Sequence, residues 1–291
     1  MSIISTLING LSMGAVYALI ALGYTMVYGI AKMLNFAHGD VIMVGSYVLF
    51  FFTMKSIKNP FLAILLAILF CVILGVLVER IAYRPLRGAP SLAVLITAIG
   101  VSFFLQSVAQ LIFTVTPKQV TMFHFRSIEC NGITIKTESI ITLVVGVIVM
   151  VALTVFVNKS KTGRAMLAVS EDRGAAQLMG INVNRTIATT FAIGSALAAV
   201  ASVFMLFIAP VTEPTLGAMP GIKAFVAAVL GGIGSIPGAM IGGVILGIVE
   251  QFALKYEFLA SYSDAIVFAI LILVLLVKPS GILGKKRHEK V

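Results

Sequence analysis

Charge is scarce in this sequence: 11% of its 291 residues are Asp, Glu, Lys or Arg, 60% are hydrophobic, and the mean hydropathy is +1.11. A soluble domain carries about 25% charged residues, so a soluble reading would need a core far larger than its surface. Motifs for chemistry are scarce too. No G-x-x-x-x-G-K-[ST] loop occurs, and the nearest string, "GILGKKR", lacks the final Ser or Thr and any strand before it. ATP is not bound by that route. There is no H-E-x-x-H, and the three histidines, His38, His124 and His288, are scattered, which argues against a metal site. The two cysteines, Cys71 in an apolar run and Cys130 in a polar loop, support neither a disulfide framework nor a metal site. An enzyme is not expected, nor any cofactor. No internal repeat stands out.

What is present is long apolar runs, at about 7–29, 37–54, 60–79, 91–113, 139–157 and 187–209, then a glycine-rich region at 222–254 and a last run at 264–277. About 30 Å of hydrocarbon takes about 20 helical residues, and a bilayer demands that backbone groups be satisfied within the chain. The runs are too long and too uniformly apolar for the strands of a membrane barrel. The fold class is therefore an all-α polytopic membrane protein, one transmembrane domain over 1–291 with about eight helical membrane segments. The start, "MSIISTLING", shows neither a basic region nor a cleavage site, so a removed signal peptide is not expected.

The net charge of +10 then reads as topology rather than as affinity for nucleic acid. Placing the loop at 158–186 in the cytoplasm puts Lys32, Arg80, Arg84, Arg87 and the basic tail there too. The small loop at 114–138, with Asn131-Gly132 as a tight turn, falls outside, with the N-terminus. For the tail to end inside, 222–254 must enter and return. Its middle, "LGGIGSIPGAMIGG", holds Gly231, Gly232, Gly234, Pro237 and Gly238, residues that break helices. It reads as two short or half-length helices meeting at a break, and unwound backbone at that depth must be buried or line a water-filled path. A single kinked span is the alternative.

Small residues recur four apart, as in Gly10 and Gly14 or Gly243 and Gly247, a spacing that lets helices approach closely in lipid. Gly75 reads as an ordinary span position, and Gly234 as a special one. "NFAHGD" at 35–40 gathers Asn35, His38 and Asp40 at the cytoplasmic mouth of the second span. Such residues line a transport path or gate, or else Asn35 caps a helix with Asp40 in its first turn. Glu250 reads as reaching the interface, and Glu213 as solvated in an outer loop.

The most polar stretch, "KTGRAMLAVSEDRGAAQLMGINVNR" at 161–185, reads as follows. Thr162 and Gly163 break the preceding helix. Ser170 caps a short helix that starts with Glu171 and Asp172, and Gly180 ends it. Ala175, Leu178 and Met179 share an apolar face. Such a helix fits a groove on another protein or rests on the membrane surface.

"GLSMGAVYALIALGYTMVYGI", "NFAHGD", "SEDRGAAQLMGIN", "GIKAFVAAVLGGIGSIPGAMIGG" and the ending "KPSGILG" resemble, in that order, the permease subunits of bacterial branched-chain amino-acid ABC importers. The resemblance implies a multi-pass protein of the bacterial inner membrane, paired with a second permease subunit, usually a non-identical homologue. It implies two cytoplasmic ATPase subunits and an extracytoplasmic solute-binding protein. It identifies 171–181 as the cytoplasmic coupling segment, with Glu171, Asp172, Ala175, Ala176, Leu178 and Gly180 at the ATPase contact. The fuller E-A-A-x-x-x-G form is only partly kept, since Gly174 precedes Ala175 and Ala176. The path is expected along Asn35, His38, Asp40 and the glycine-rich break, whose exposed backbone groups would hold the head of the zwitterion.

A self-sufficient carrier or channel is the rival reading. It suits the broken helix but leaves the coupling-like helix unexplained, and it usually wants embedded acids that are scarce here. A purely structural membrane partner is a third. The topology has a direct test. In a chain with Cys130→Ser, cysteines introduced as Ser127→Cys and Glu171→Cys should react with impermeant thiol reagents from opposite faces, Ser127→Cys outside. Labelling from one face would refute the span assignment.

Overall fold

The computed structural model describes residues 3–56, 59–123, 127–130 and 133–284. In chain order the helices are α1 (Ile3–Ala31), α2 (His38–Phe50), α3 (Pro60–Val78), α4 (Ser91–Phe113), α5 (Thr137–Lys159), α6 (Lys161–Glu171), α7 (Arg173–Leu178), α8 (Val183–Ile208), α9 (Ala218–Gly231), α10 (Ile236–Lys255), α11 (Glu257–Ala260) and α12 (Ser263–Val277). Wider-turned helix prolongs α2 to Ser56 and α3 to Tyr83. Among the described residues six helices are long and apolar enough to cross a membrane: α1, α3 with its extension, α4, α5, α8 and α10. Three apolar helices are shorter, His38–Met54, Ala218–Gly231 and Ser263–Val277.

The glycine-rich region does break, at 232–235, but its arms are unequal. The first, α9, has 14 residues, about 21 Å at 1.5 Å per residue. The second, α10, has 20, about 30 Å and full membrane length, not the half-length expected. Pro237 explains the difference. It lies in the first turn of α10, where its missing N–H costs nothing, and Ser235 Oγ caps that turn by accepting from Gly238 N at 3.2 Å. The proline starts a helix rather than breaking one. Asn59 and Pro60 do the same for α3, with Asn59 Oδ1 accepting from Phe61 N at 3.1 Å.

The long helices differ in how deeply they are covered. In their most apolar windows 61% of α1 and 67% of α8 is buried, against 17% of α4. So α1 and α8 form the centre, and α4 turns Phe103, Phe104, Leu111 and Ile112 outward. The closest contact is between α1 and α10. A Cβ at Gly14 would fall 2.7 Å from Val244 Cα, one at Gly10 would fall 3.0 Å from Ile248 Cα, and one at Gly247 would run into the backbone of Gly14. The glycines spaced four apart therefore face each other and bring two backbones together.

The ends of the bundle are distinct. At one, β2 (Ile128–Cys130) and β3 (Ile133–Ile135) pair antiparallel, and β1 (Lys118–Gln119) pairs with β4 (Val211–Thr212). The turn residues Asn131 and Gly132 lie outside the described residues, as do Lys58, His124, Arg126 and the basic tail from 285. At the other end lie α6 and α7, the turn after α1, Arg87 and residues 278–284. The basic loops assigned to one face thus gather at one end.

Gly75 is not an ordinary position. A Cβ there would run into Ser195 Oγ and fall 2.7 Å from Ser195 Cβ and 3.2 Å from Phe191 O, at the contact of α3 with α8. Gly234 has room but a φ of +94°, where a side chain is strained. Gly100 meets nothing within 4 Å. Gly247→Leu should therefore destabilise the protein by about 1–3 kcal/mol or more through overpacking, while Gly100→Leu stays within about 0.5 kcal/mol. Thermal unfolding midpoints in detergent would show the difference, and equal midpoints would refute the close α1–α10 contact.

Candidate functional site

The polar residues of 35–40 meet inside the bundle. The chain leaves α1 through Lys32, at φ +54°, and turns back, so that His38 lies against Gly23. Gly23 precedes the end of α1 by eight residues, about 12 Å, so α2 starts well within the bundle. Each polar side chain is buried and tied to a different neighbour. Asn35 Oδ1 accepts from Tyr83 OH at 2.7 Å, Asp40 Oδ1 accepts from Gln106 Nε2 at 2.8 Å, and His38 sits edge-on to Tyr24 at 4.9 Å. Asn35 is not the cap of α2. Its side chain is spent on Tyr83, and Ala37 holds the cap position without a side-chain bond. Asp40 does lie in the first turn.

The start of α9 reaches the same place. A Cβ at Gly221 would fall 3.0 Å from Gly39 Cα, and the backbones of Gly217 and Gly39 touch. Two short helices, α2 and α9, thus begin beside one another and run toward opposite ends. Helix N-termini carry partial positive charge, and Asp40 supplies a carboxylate at this junction.

The break at 232–235 lies at the far end of α9, and its polar groups are largely used. Ile282 N donates to Leu230 O at 2.8 Å and Leu283 N to Gly231 O at 2.9 Å. These are the carbonyls a helix end leaves without partners. Gly232, at φ +107°, lets the chain turn there, and a Cβ on it would fall 2.5 Å from Gly284 N. Gly231 and Gly238 put the backbones of α9 and α10 in contact. Free N–H and C=O groups expected at this break are thus partly capped by residues 282 and 283.

One cluster was not read from the sequence. Lys223, on α9, lies 2.5 Å from Glu250 Oε1 and 2.6 Å from Asp264 Oδ1, and Tyr17 OH donates to Glu250 Oε2 at 2.6 Å. Lys223 and Glu250 are buried, so Glu250 does not reach out to an interface. The signal was there: a lone lysine in "GIKAFVAAVL" needs a partner in an apolar helix. The string "GLSMG" at 10–14 was also overlooked. It has the G-x-S-x-G spacing of a nucleophile elbow, but it lies in the middle of α1 without the required strand–turn–helix, and Ser12 Oγ has no hydrogen-bond partner among the described residues to act as a base.

The polar stretch forms two helices with other caps than expected. Ser160 starts α6 by accepting from Gly163 N at 2.8 Å, so Gly163 lies inside a helix. Ser170 bonds back to Leu167 O. Asp172 caps α7, accepting from Gly174 N at 2.7 Å and Ala175 N at 3.0 Å, while Glu171 ends α6. Gly180, at φ +80°, ends the turn, with Ile181 N donating to Ala176 O at 3.0 Å. Ala176 is turned inward at 4% exposure, whereas Leu178 and Met179 stand out at 90% and 82%. Arg173 donates to Ala31 O, at the C-terminal end of α1, and Arg87 joins Glu79 to Asn184.

Membrane-length helices, with short helices that start inside the bundle, define a multi-pass helical membrane protein. The family model described as "Branched-chain amino acid transport system / permease component" matches residues 6–275, and the chain belongs to that family. The high-affinity branched-chain amino acid transport system permease protein BraD of Pseudomonas aeruginosa is 47% identical, over 98% of this chain and 97% of its own. The permease protein LivH of Escherichia coli is 46% identical, over 97% and 96%. A probable LivH of Methanocaldococcus jannaschii is 30% identical, over 91% and 88%. A solved structure titled "PsaBC from Streptococcus pneumoniae in complex with Fab" covers 94% of this chain and 91% of its own at 16% identity, with a TM-score of 0.48, too slight a likeness to fix the fold. The chain is a permease subunit and not an enzyme.

The ion cluster gives a prediction. Lys223→Met leaves the buried Glu250 carboxylate without its cation and should cost about 3–5 kcal/mol. Glu250→Gln should cost less, because Lys223 keeps Asp264. Unfolding midpoints in that order are expected, and a neutral Lys223→Met would refute the pairing.

Proposed function

We propose that this chain is the permease subunit of an ABC importer for leucine, isoleucine, valine or a related small amino acid, in the bacterial inner membrane with α6 and α7 in the cytoplasm. It pairs with a second permease subunit, and two ATPase subunits grip α7. An extracytoplasmic binding protein delivers the solute to the opposite face. The observation that carries this reading is α7 itself. It is held to the bundle by Ala176 and by Arg173 at the end of α1, and it presents Leu178 and Met179 outward. A knob fastened on one side and apolar on the other suits a protein groove.

ATP binding on the partner subunits would draw the α7 helices together and rock the bundles. The junction of α2 and α9 is the proposed gate, closed in this conformation because Asn35, His38 and Asp40 are buried and paired or packed. Opening it would free two helix N-termini for the carboxylate of a zwitterion, and Asp40 for its ammonium group. The break at Gly231, Gly232, Gly234, Pro237 and Gly238 serves as the pivot at the other end of α9.

Leu178→Trp tests the grip. In a groove the added volume costs about 1–3 kcal/mol, so ATPase copurification and solute-stimulated ATP hydrolysis should fall about tenfold or more, at about 1.4 kcal/mol per factor of ten. On a lipid surface the change should be harmless, since Trp favours the interface. Ala176 is unsuitable for this test, because bulk there strikes the permease itself. Wild-type behaviour of Leu178→Trp would remove α7 from the contact. A permease that carries solute without ATPases would support a self-sufficient carrier instead.

A further inference from the structure

Where α1, α5, α8 and α10 meet at the hairpin end, they line a partly open cavity of about 150 Å³. Met13, Phe207 and Ile208 make one apolar wall. Ser12 lies in another, buried, with an Oγ that has no hydrogen-bond partner among the described residues. A buried hydroxyl is seldom left so. Lys136, which is exposed, and Glu138, which is half-buried, stand at its rim, and neither forms an ion pair among the described residues. The first turn of α5 accounts for an acid at Glu138, and solvent for the exposed Lys136, but neither accounts for the orphaned hydroxyl.

Opposite charges, a free hydroxyl and an apolar wall around one void describe a small zwitterion with an aliphatic body. The size agrees, because a cavity of about 150 Å³ holds a benzene molecule, close to the bulk of a four-carbon side chain. We propose that this cavity is a docking subsite for a free aliphatic amino acid. Its ammonium group meets Glu138, its carboxylate meets Lys136 and the Ser12 hydroxyl, and its side chain lies on Met13, Phe207 and Ile208. The proposal rests on the importer reading above and adds to it a first stop for the cargo, at the end opposite α7. A phosphatidylethanolamine headgroup carries the same pair of charges, so the test must separate the two.

The assembled importer is placed in nanodiscs of phosphatidylcholine and irradiated with a diazirine analogue of leucine. Label is expected in peptides holding Met13, Phe207 or Ile208, and unlabelled leucine should compete it away. Met13→Trp fills the void and should cut that labelling about tenfold or more, the scale on which one group too many or too few changes affinity in an apolar pocket. Lys136→Gln gives an independent reading. Leucinamide, which lacks the carboxylate, should compete worse than leucine against the wild type and equally well against the variant. Label elsewhere only, in a complex that imports leucine into proteoliposomes, would overturn the subsite and leave the importer standing. Competition by added phosphatidylethanolamine but not by leucine would give the cavity to lipid and overturn the proposal. Failure of the complex to import any amino acid would overturn both.

Discussion

A backbone carbonyl inside a membrane protein must find its partner within the protein, and this constraint bears hardest where a helix stops inside the bundle. α9 is about 21 Å long, so it cannot span from one headgroup region to the other. Its last carbonyls are met by Ile282 and Leu283, brought back from the far side of α12. The glycines at 232 and 281 allow this because each would otherwise put a side chain into the other segment. The short helix, the turn at 232–235 and the segment after α12 therefore form one unit. Removing any one of them exposes polar backbone from the others.

The other end of α9 is built on a different compromise. There the backbones of Gly217 and Gly39 touch, which sets two helix N-termini side by side. Like partial charges repel, and the nearby Asp40 carboxylate offsets them. Gln106 keeps that carboxylate hydrogen-bonded while it is buried. Between the two ends, Lys223 ties α9 to α10 and α12 through Glu250 and Asp264. Buried ion pairs do little for net stability but penalise mispairing strongly. Here the pairing holds α9 against both α10 and α12.

Much of this was legible in the sequence. Run length and charge scarcity gave the class, and the four-residue glycine spacing marked faces for close helix approach, though not that α1 would meet α10. The stop at Gly180 was readable because only a left-handed residue ends such a turn cheaply. The caps were not. Ser160, Ser170 and Asp172 are all good cap residues, and local propensity cannot rank them without knowing where α5 must end. Pro237 was read as a breaker because proline looks the same at the first turn of a helix as in its middle. Gly75 looked ordinary because its reason, Ser195, lies 120 positions away in the chain. Lys223 was passed over for the same cause, since its partners come from two other helices.

The arrangement also bears on how a pull on α7 would reach the interior. Arg173 holds the last carbonyl of α1, and the Gly29 backbone near that end lies beside Gly234, in the turn that the 278–284 segment straps. Through these contacts α7, the end of α1 and the foot of α9 share one rigid neighbourhood. The head of α9 meets α2 at Gly39 with no side chain between, while the next turn is held by Phe225 on Tyr24 and Phe36 and by Lys223 on Glu250 and Asp264. A stiff lower end and a narrow contact with α2 are what a lever needs. In the proposed importer, displacement at α7 is passed to the foot of α9 and released where α2 and α9 begin. Moving α1 against α10 would be the harder motion, because glycine faces hold those backbones in direct contact.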